Sequence, residues 1–122
     1  MPERSYQKLM DKGATERWKF AVELGRHGKA AVDLLIASLK DEDKWVRYLI
    51  IDALGNIQDP LVIDPLVTAL GDVDQDVRFV AAEALGRVGD SRAIAALEKT
   101  CAGDNCYVRI AAEEAINRLK QL

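Results

Sequence analysis

Three arginines stand at equal intervals of 31 residues, Arg47, Arg78 and Arg109. A row of guanidiniums is good material for an anion or phosphate site, because each offers several donors in a rigid planar fork. Their setting suggests a second use. Each follows a valine of core type by one residue (Val46, Val77, Val108), and acids of helix-capping type lie nearby at Asp43, Asp59, Asp74 and Asp90. The expectation is a structural ladder of arginine-to-carboxylate contacts joining successive units, with Arg47, Arg78, Arg109, Asp59 and Asp90 as its members, since a residue that does chemistry need not recur at a stacking period. An exposed rung of this kind contributes about 0 to 1 kcal/mol, whereas stranding a buried partner costs about 3 to 5 kcal/mol.

The other reactive side chains are sparse. His27 is the only histidine and falls in the column of Ile57 and Val88, which predicts partial burial. Without a Cys or Ser nucleophile in its motif it does not indicate a catalytic group. Cys101 and Cys106 in CAGDNC form no CxxC pair, and one histidine is too few to complete a zinc set. Cys101 lies in the column of Leu39 and Leu70, so its expected role is a small core residue; a disulfide to Cys106 fits across the turn but is rare in a reducing compartment. No stretch reads GxGxxG or GxxxxGK[ST]. The expectation is therefore no catalytic residue, no metal and no cofactor.

Charge narrows the partners. Residues 1–40 carry 8 basic and 5 acidic side chains, and residues 41–122 carry 9 and 15. Nucleic acid is disfavoured, because phosphate binding needs a concentrated basic face. No apolar run approaches the length of a membrane span, and MPERSYQKLM has no signal core, so a cytoplasmic protein without a membrane partner is expected.

The elements that position these residues are copies of one unit. VRYLIIDALGNIQD (46–59) and VRFVAAEALGRVGD (77–90) align at an offset of 31. Val32, Ile63 and Ile94 keep that spacing, as do Leu35, Leu66 and Leu97, and the small residues Ala53, Ala84 and Ala115 that would let adjacent helices approach. Apolar residues at 46, 49, 50, 53, 54 and 57, and again at 62, 63, 66, 67 and 70, follow helical spacing, so each unit is a pair of helices. Asp59-Pro60 and Asp90-Ser91 mark the start of second helices, and Gly25, Gly55 and Gly86 are expected to close first helices. The division is a single domain, 1–122: an amino-terminal helix in 1–12, near Glu3 to Asp11; a degenerate first repeat, 13–40; a second, 41–71; a third, 72–102; and a capping half repeat, 103–122. That makes seven repeat helices. A lone helical hairpin cannot bury its apolar face, so the copies must stack.

The pattern DxxVRxxxxxALGxxxD followed by Ile-x-x-Leu, read in DKWVRYLIIDALGNIQD and DQDVRFVAAEALGRVGD, resembles the HEAT-like repeat of the phycobilisome-lyase type over about residues 13–120. The resemblance implies an all-α fold, an α/α superhelix whose second helices line a concave surface that grips another protein. On that face the candidates are Asp33, Ile36, Asp64, Val67, Thr68 and Lys99. An alternative convex patch on the first helices comprises Trp45, Tyr48, Phe79, Tyr107 and Ile110, exposed for contact or half-buried between neighbouring helices. The function expected is a non-catalytic adaptor for an unidentified protein partner, monomeric or weakly self-associating. A bilin lyase or isomerase relative is the enzymatic alternative that the resemblance implies, and a nucleic-acid-binding HEAT-like protein is disfavoured by charge.

Overall fold

A computed structural model describes residues 19, 22, 23 and 26–121. The expected amino-terminal helix in 1–12 and most of the first helix of repeat one lie outside the described residues. The described residues contain six α-helices and no strand: α1 (Val32–Ala37), α2 (Lys44–Leu54), α3 (Ile63–Ala69), α4 (Gln75–Val88), α5 (Ile94–Gly103) and α6 (Cys106–Lys120). The all-α repeat architecture is as the 31-residue period requires. α2, α4 and α6 are first helices of successive units, and α1, α3 and α5 are second helices.

Each first helix starts on a side-chain cap. Asp43, Asp74 and Asn105 accept from the backbone N–H of Trp45, Asp76 and Val108, satisfying donors that have no partner within the helix. The second helices begin differently, with a tight 3-10 turn before the α-helix: Gly28–Ala31 before α1, Pro60–Val62 before α3, and Ser91–Ala93 before α5. Asp59 and Asp90 cap two of these turns through the N–H of Leu61 and Arg92. Pro65 sits in the first turn of α3, where its missing N–H leaves no hydrogen bond unmade.

α4 packs against both helices of the preceding unit, α2 and α3, and α6 packs in the same way against α4 and α5. The core is a continuous run of columns: Val46, Val77 and Val108; Leu35, Leu66 and Leu97; Leu54 and Leu85, all buried. Helix approach is set by paired small residues. A side chain added at Gly55 would stand 2.6 Å from the Cβ of Ala84, and one added at Gly86 would stand 3.2 Å from Ala115. Gly86 thus lies inside α4 and does not close it, contrary to the sequence expectation. The closing residue is Gly89, whose φ of 77° is left-handed backbone that glycine adopts without steric cost. His27 also differs from expectation: it is exposed, with Nε2 3.8 Å from Glu23.

Candidate interaction faces

The arginine row resolves into an inter-repeat brace. Arg47 donates through Nε and Nη2 to the two oxygens of Asp72 at 2.9 and 3.0 Å, and through Nη1 to the carbonyls of Asp41 and Glu42. Arg78 repeats the arrangement one unit on, with Asp104 at 2.8 and 3.2 Å and the carbonyls of Asp72 and Val73. Each arginine therefore ties the loop before its own helix to the loop before the next. The carboxylates are Asp72 and Asp104; Asp59 and Asp90 are not rungs but caps of second helices, Asp90 being bonded to Arg92. Burial opposes the charge on Asp104, but hydrogen bonds from Arg78 and the Asn105 N–H, with the Arg78 charge, outweigh it and hold the carboxyl below its ordinary value. Arg109 has weaker company, Cys106 Sγ at 3.5 Å and Glu113 at 3.8 Å. With the Arg47 and Arg78 forks filled, the row does not form an anion site.

The aromatic patch is largely spent on the same task. The Phe79 and Tyr107 rings stack at 4.4 Å between centroids and 9° between planes, and Trp45 leans on Tyr48 at 5.6 Å. The Tyr107 hydroxyl donates to Asp76 Oδ1 at 3.0 Å. Lys44 lies 3.0 Å from Asp74 and 3.3 Å from Asp76, with its ammonium 4.7 Å from the centre of the Trp45 ring. A chain of contacts thus runs from α2 through α4 to α6. Desolvation, then the hydrogen bond to Asp76, pushes the Tyr107 phenol up to about 12. Trp45, Tyr48 and Phe79 are half-buried, leaving Tyr107 (41% exposed) and Ile110 (55%) as the open part of the patch.

On the second helices, Asp33, Asp64, Thr68 and Lys99 are exposed as the sequence pattern suggests. Ile36 and Val67 are not the apolar contacts expected of them: they are half-buried and packed against the core. The exposed apolar side chains of this face are Leu34 (54%) and Leu61 (60%), carried by α1 and by the Pro60–Val62 turn that packs on it. Sequence reasoning missed both. Leu34 sits in an unbroken apolar run whose faces periodicity does not separate, and Leu61 belongs to a 3-10 turn that falls off the α-helical grid. Leu61 and Asp64 are three residues apart and Asp33 adjoins Leu34, so two leucines and two carboxylates share one surface.

Among the described residues, no group of three or more His, Cys, Asp or Glu side chains is placed to hold a metal, and no helix is long and apolar enough to cross a membrane. Both cysteines are free thiols, Cys106 exposed and Cys101 packed against the core, where burial raises its pKa. Comparison with protein families matches HEAT repeats over residues 11–76 and again over 32–117. The chain belongs to the HEAT-repeat family. HEAT repeats generally mediate contacts between proteins. No curated protein matches this HEAT-repeat chain.

Proposed function

We propose that this HEAT-repeat protein is a non-catalytic interaction module that holds a segment of a partner protein across its second helices. The observation that carries this reading is the pairing of Leu34 and Leu61, more than half exposed, with the exposed carboxylates Asp33 and Asp64. Exposed leucines side by side on a rigid face are unfavourable in water and become favourable when covered, and the charges around them fix the register of whatever covers them. Lys99, on the following repeat, gives the face opposite charge at its far end. The ladder and the aromatic stack keep the helices fixed, so the face is preorganised for binding.

The DxxVRxxxxxALGxxxD pattern supports placing these repeats with the phycobilisome-lyase type. The repeat alone does not bring lyase chemistry with it, because function lies in sites and not in the fold. A peptide-display selection against the purified protein tests the reading. Enriched peptides should lose binding to Leu61→Asp and Asp64→Lys, and these exposed substitutions should change stability by only about 0.5 kcal/mol. A selection in which no enriched peptide responds to either substitution overturns the assignment of this face.

A further inference from the structure

A second surface, on the first helices, has a different character. α4 and α6 enclose a cleft of about 280 Å³ lined by Glu83, Gly86, Arg87, Ala111, Glu114, Ala115 and Arg118. Its floor is made of buried small residues, Gly86, Ala111 and Ala115, and its walls are exposed carboxylates. Of the two basic side chains at the rim, Arg87 is already matched, donating to the carboxylate and carbonyl of Asp52 at 2.9 and 3.2 Å. Glu83 and Glu114 therefore face Arg118 alone, which leaves an excess of negative charge. Ile110 lies one helical turn before Glu114 on the same stripe and is 55% exposed.

We propose that this cleft seats an arginine or lysine of a partner's basic segment, with an apolar side chain of the same segment resting on Ile110. The aliphatic stem of a long basic residue fits against Ala111 and Ala115 while its head remains between the carboxylates, as such side chains do when they cover apolar surface. The occupant follows from charge complementarity: residues 41–122 carry 15 acidic against 9 basic side chains, and the walls of the cleft carry that excess into a concavity. The protein holds one of its own ammonium groups in a comparable way, Lys44 lying between Asp74 and Asp76 and against the Trp45 ring. Desolvation first, and then Glu83, Asp52 and Asp76, raise the Tyr48 phenol, so those carboxylates make the first-helix face around it negative. This surface is separate from the second-helix face and stands or falls apart from it.

The probe is a short capped peptide containing Arg-Leu-Arg, titrated into the full chain at low salt and followed by backbone amide shifts, with a Glu-Leu-Glu peptide as control. Shifts should gather at Glu83, Ala111, Glu114 and Ala115 and weaken with added salt. The Glu83→Gln, Glu114→Gln double variant should lose about tenfold in affinity, and Arg118→Ala, which removes the competing cation, should bind more tightly. Shifts centred on Asp33 and Asp64, equal binding of the acidic peptide, or affinity unchanged by the double variant would each overturn the proposal.

Discussion

Arg78 and Arg109 share a column, follow equivalent valines and lead equivalent helices, yet they differ in what they hold. Arg78 closes a two-pronged contact with Asp104 in which both side chains are at most one-fifth exposed, and its third nitrogen satisfies loop carbonyls. Arg109 is exposed and reaches only a weak sulfur contact and a distant carboxylate. Arg78→Ala should therefore cost about 2 kcal/mol, between the values for surface and buried pairs, while Arg109→Ala should cost about 0.5 kcal/mol or less. Urea denaturation of the two variants checks this, and equal losses would show that the brace contributes nothing beyond a solvated arginine. Lysine at position 78 should recover little, because a single ammonium cannot span both Asp72-loop carbonyls and Asp104. The thiols separate on the same grounds of burial. Cys106 is exposed and should react with a maleimide well before Cys101, whose thiol is raised by desolvation and then by Glu113. Comparable labelling rates would show that the Cys101 site opens readily.

First helices meet through glycine against alanine, and this makes the glycines unequal in a way that substitution reveals. At Gly55 an added methyl would press on Ala84 and on the Arg87 fork that bonds Asp52, so Gly55→Ala should cost about 1 to 3 kcal/mol. At Gly103, the last residue of α5, nothing lies within 4 Å of the added atom, so Gly103→Ala should stabilise by about 0.5 to 1 kcal/mol through helix propensity alone. Gly86→Ala should fall between them, because the same propensity gain opposes a contact of 3.2 Å with Ala115. Thermal denaturation of the three variants gives the order, and a Gly55 variant as stable as the parent would refute the close approach. The repeat, the helix pairs and the caps at Asp43, Asp59, Asp74, Asp90 and Asn105 were legible from sequence, because each is a local rule written within a few residues and copied every 31. The contacts between copies were not. Asp72 and Asp104 read as loop acids, and their spacing of 32 takes the second out of the strict period. Gly86 follows the same Ala-Leu as Gly55 but lies inside its helix, since α4 runs on to Val88 where α2 ends at Leu54. The exposed leucines were hidden for a related reason: the 3-10 starts rotate the second helices away from an ideal 3.6-residue grid.

Ionic and phenolic contacts that cross from one repeat to the next couple the stability of the whole stack to pH at both extremes. Asp74 and Asp104 keep lowered carboxyl pKa values: burial opposes each, but the bonds from Lys44 and Arg78, helped by backbone N–H groups, win. A carboxyl lowered in the folded state adds stability above its unfolded value near 3.8, and that contribution disappears as pH falls through the folded value. Lys44 is raised despite desolvation, by Asp74 and Asp76, so its contribution is complete below 10.5 and disappears at higher pH. Tyr107 behaves in the same sense: raised from 10.0 to about 12, it stabilises the fold fully below pH 10 and progressively less as pH climbs toward 12, when its phenol can no longer donate to Asp76. In a stack where each repeat contacts only its neighbours, weakening the α4 to α6 contact releases the last helix first. The urea midpoint should accordingly be flat through neutral pH, fall below about pH 4, and fall again above pH 10, with amide exchange in α6 rising ahead of that in α2 and α4 on the alkaline side. Tyr107→Phe keeps the stack on Phe79 but has no phenol to titrate, so its alkaline fall should be shallower while the acid limb stays as it was. An alkaline limb identical in the two proteins would place the high-pH transition elsewhere than in the Tyr107–Asp76 contact.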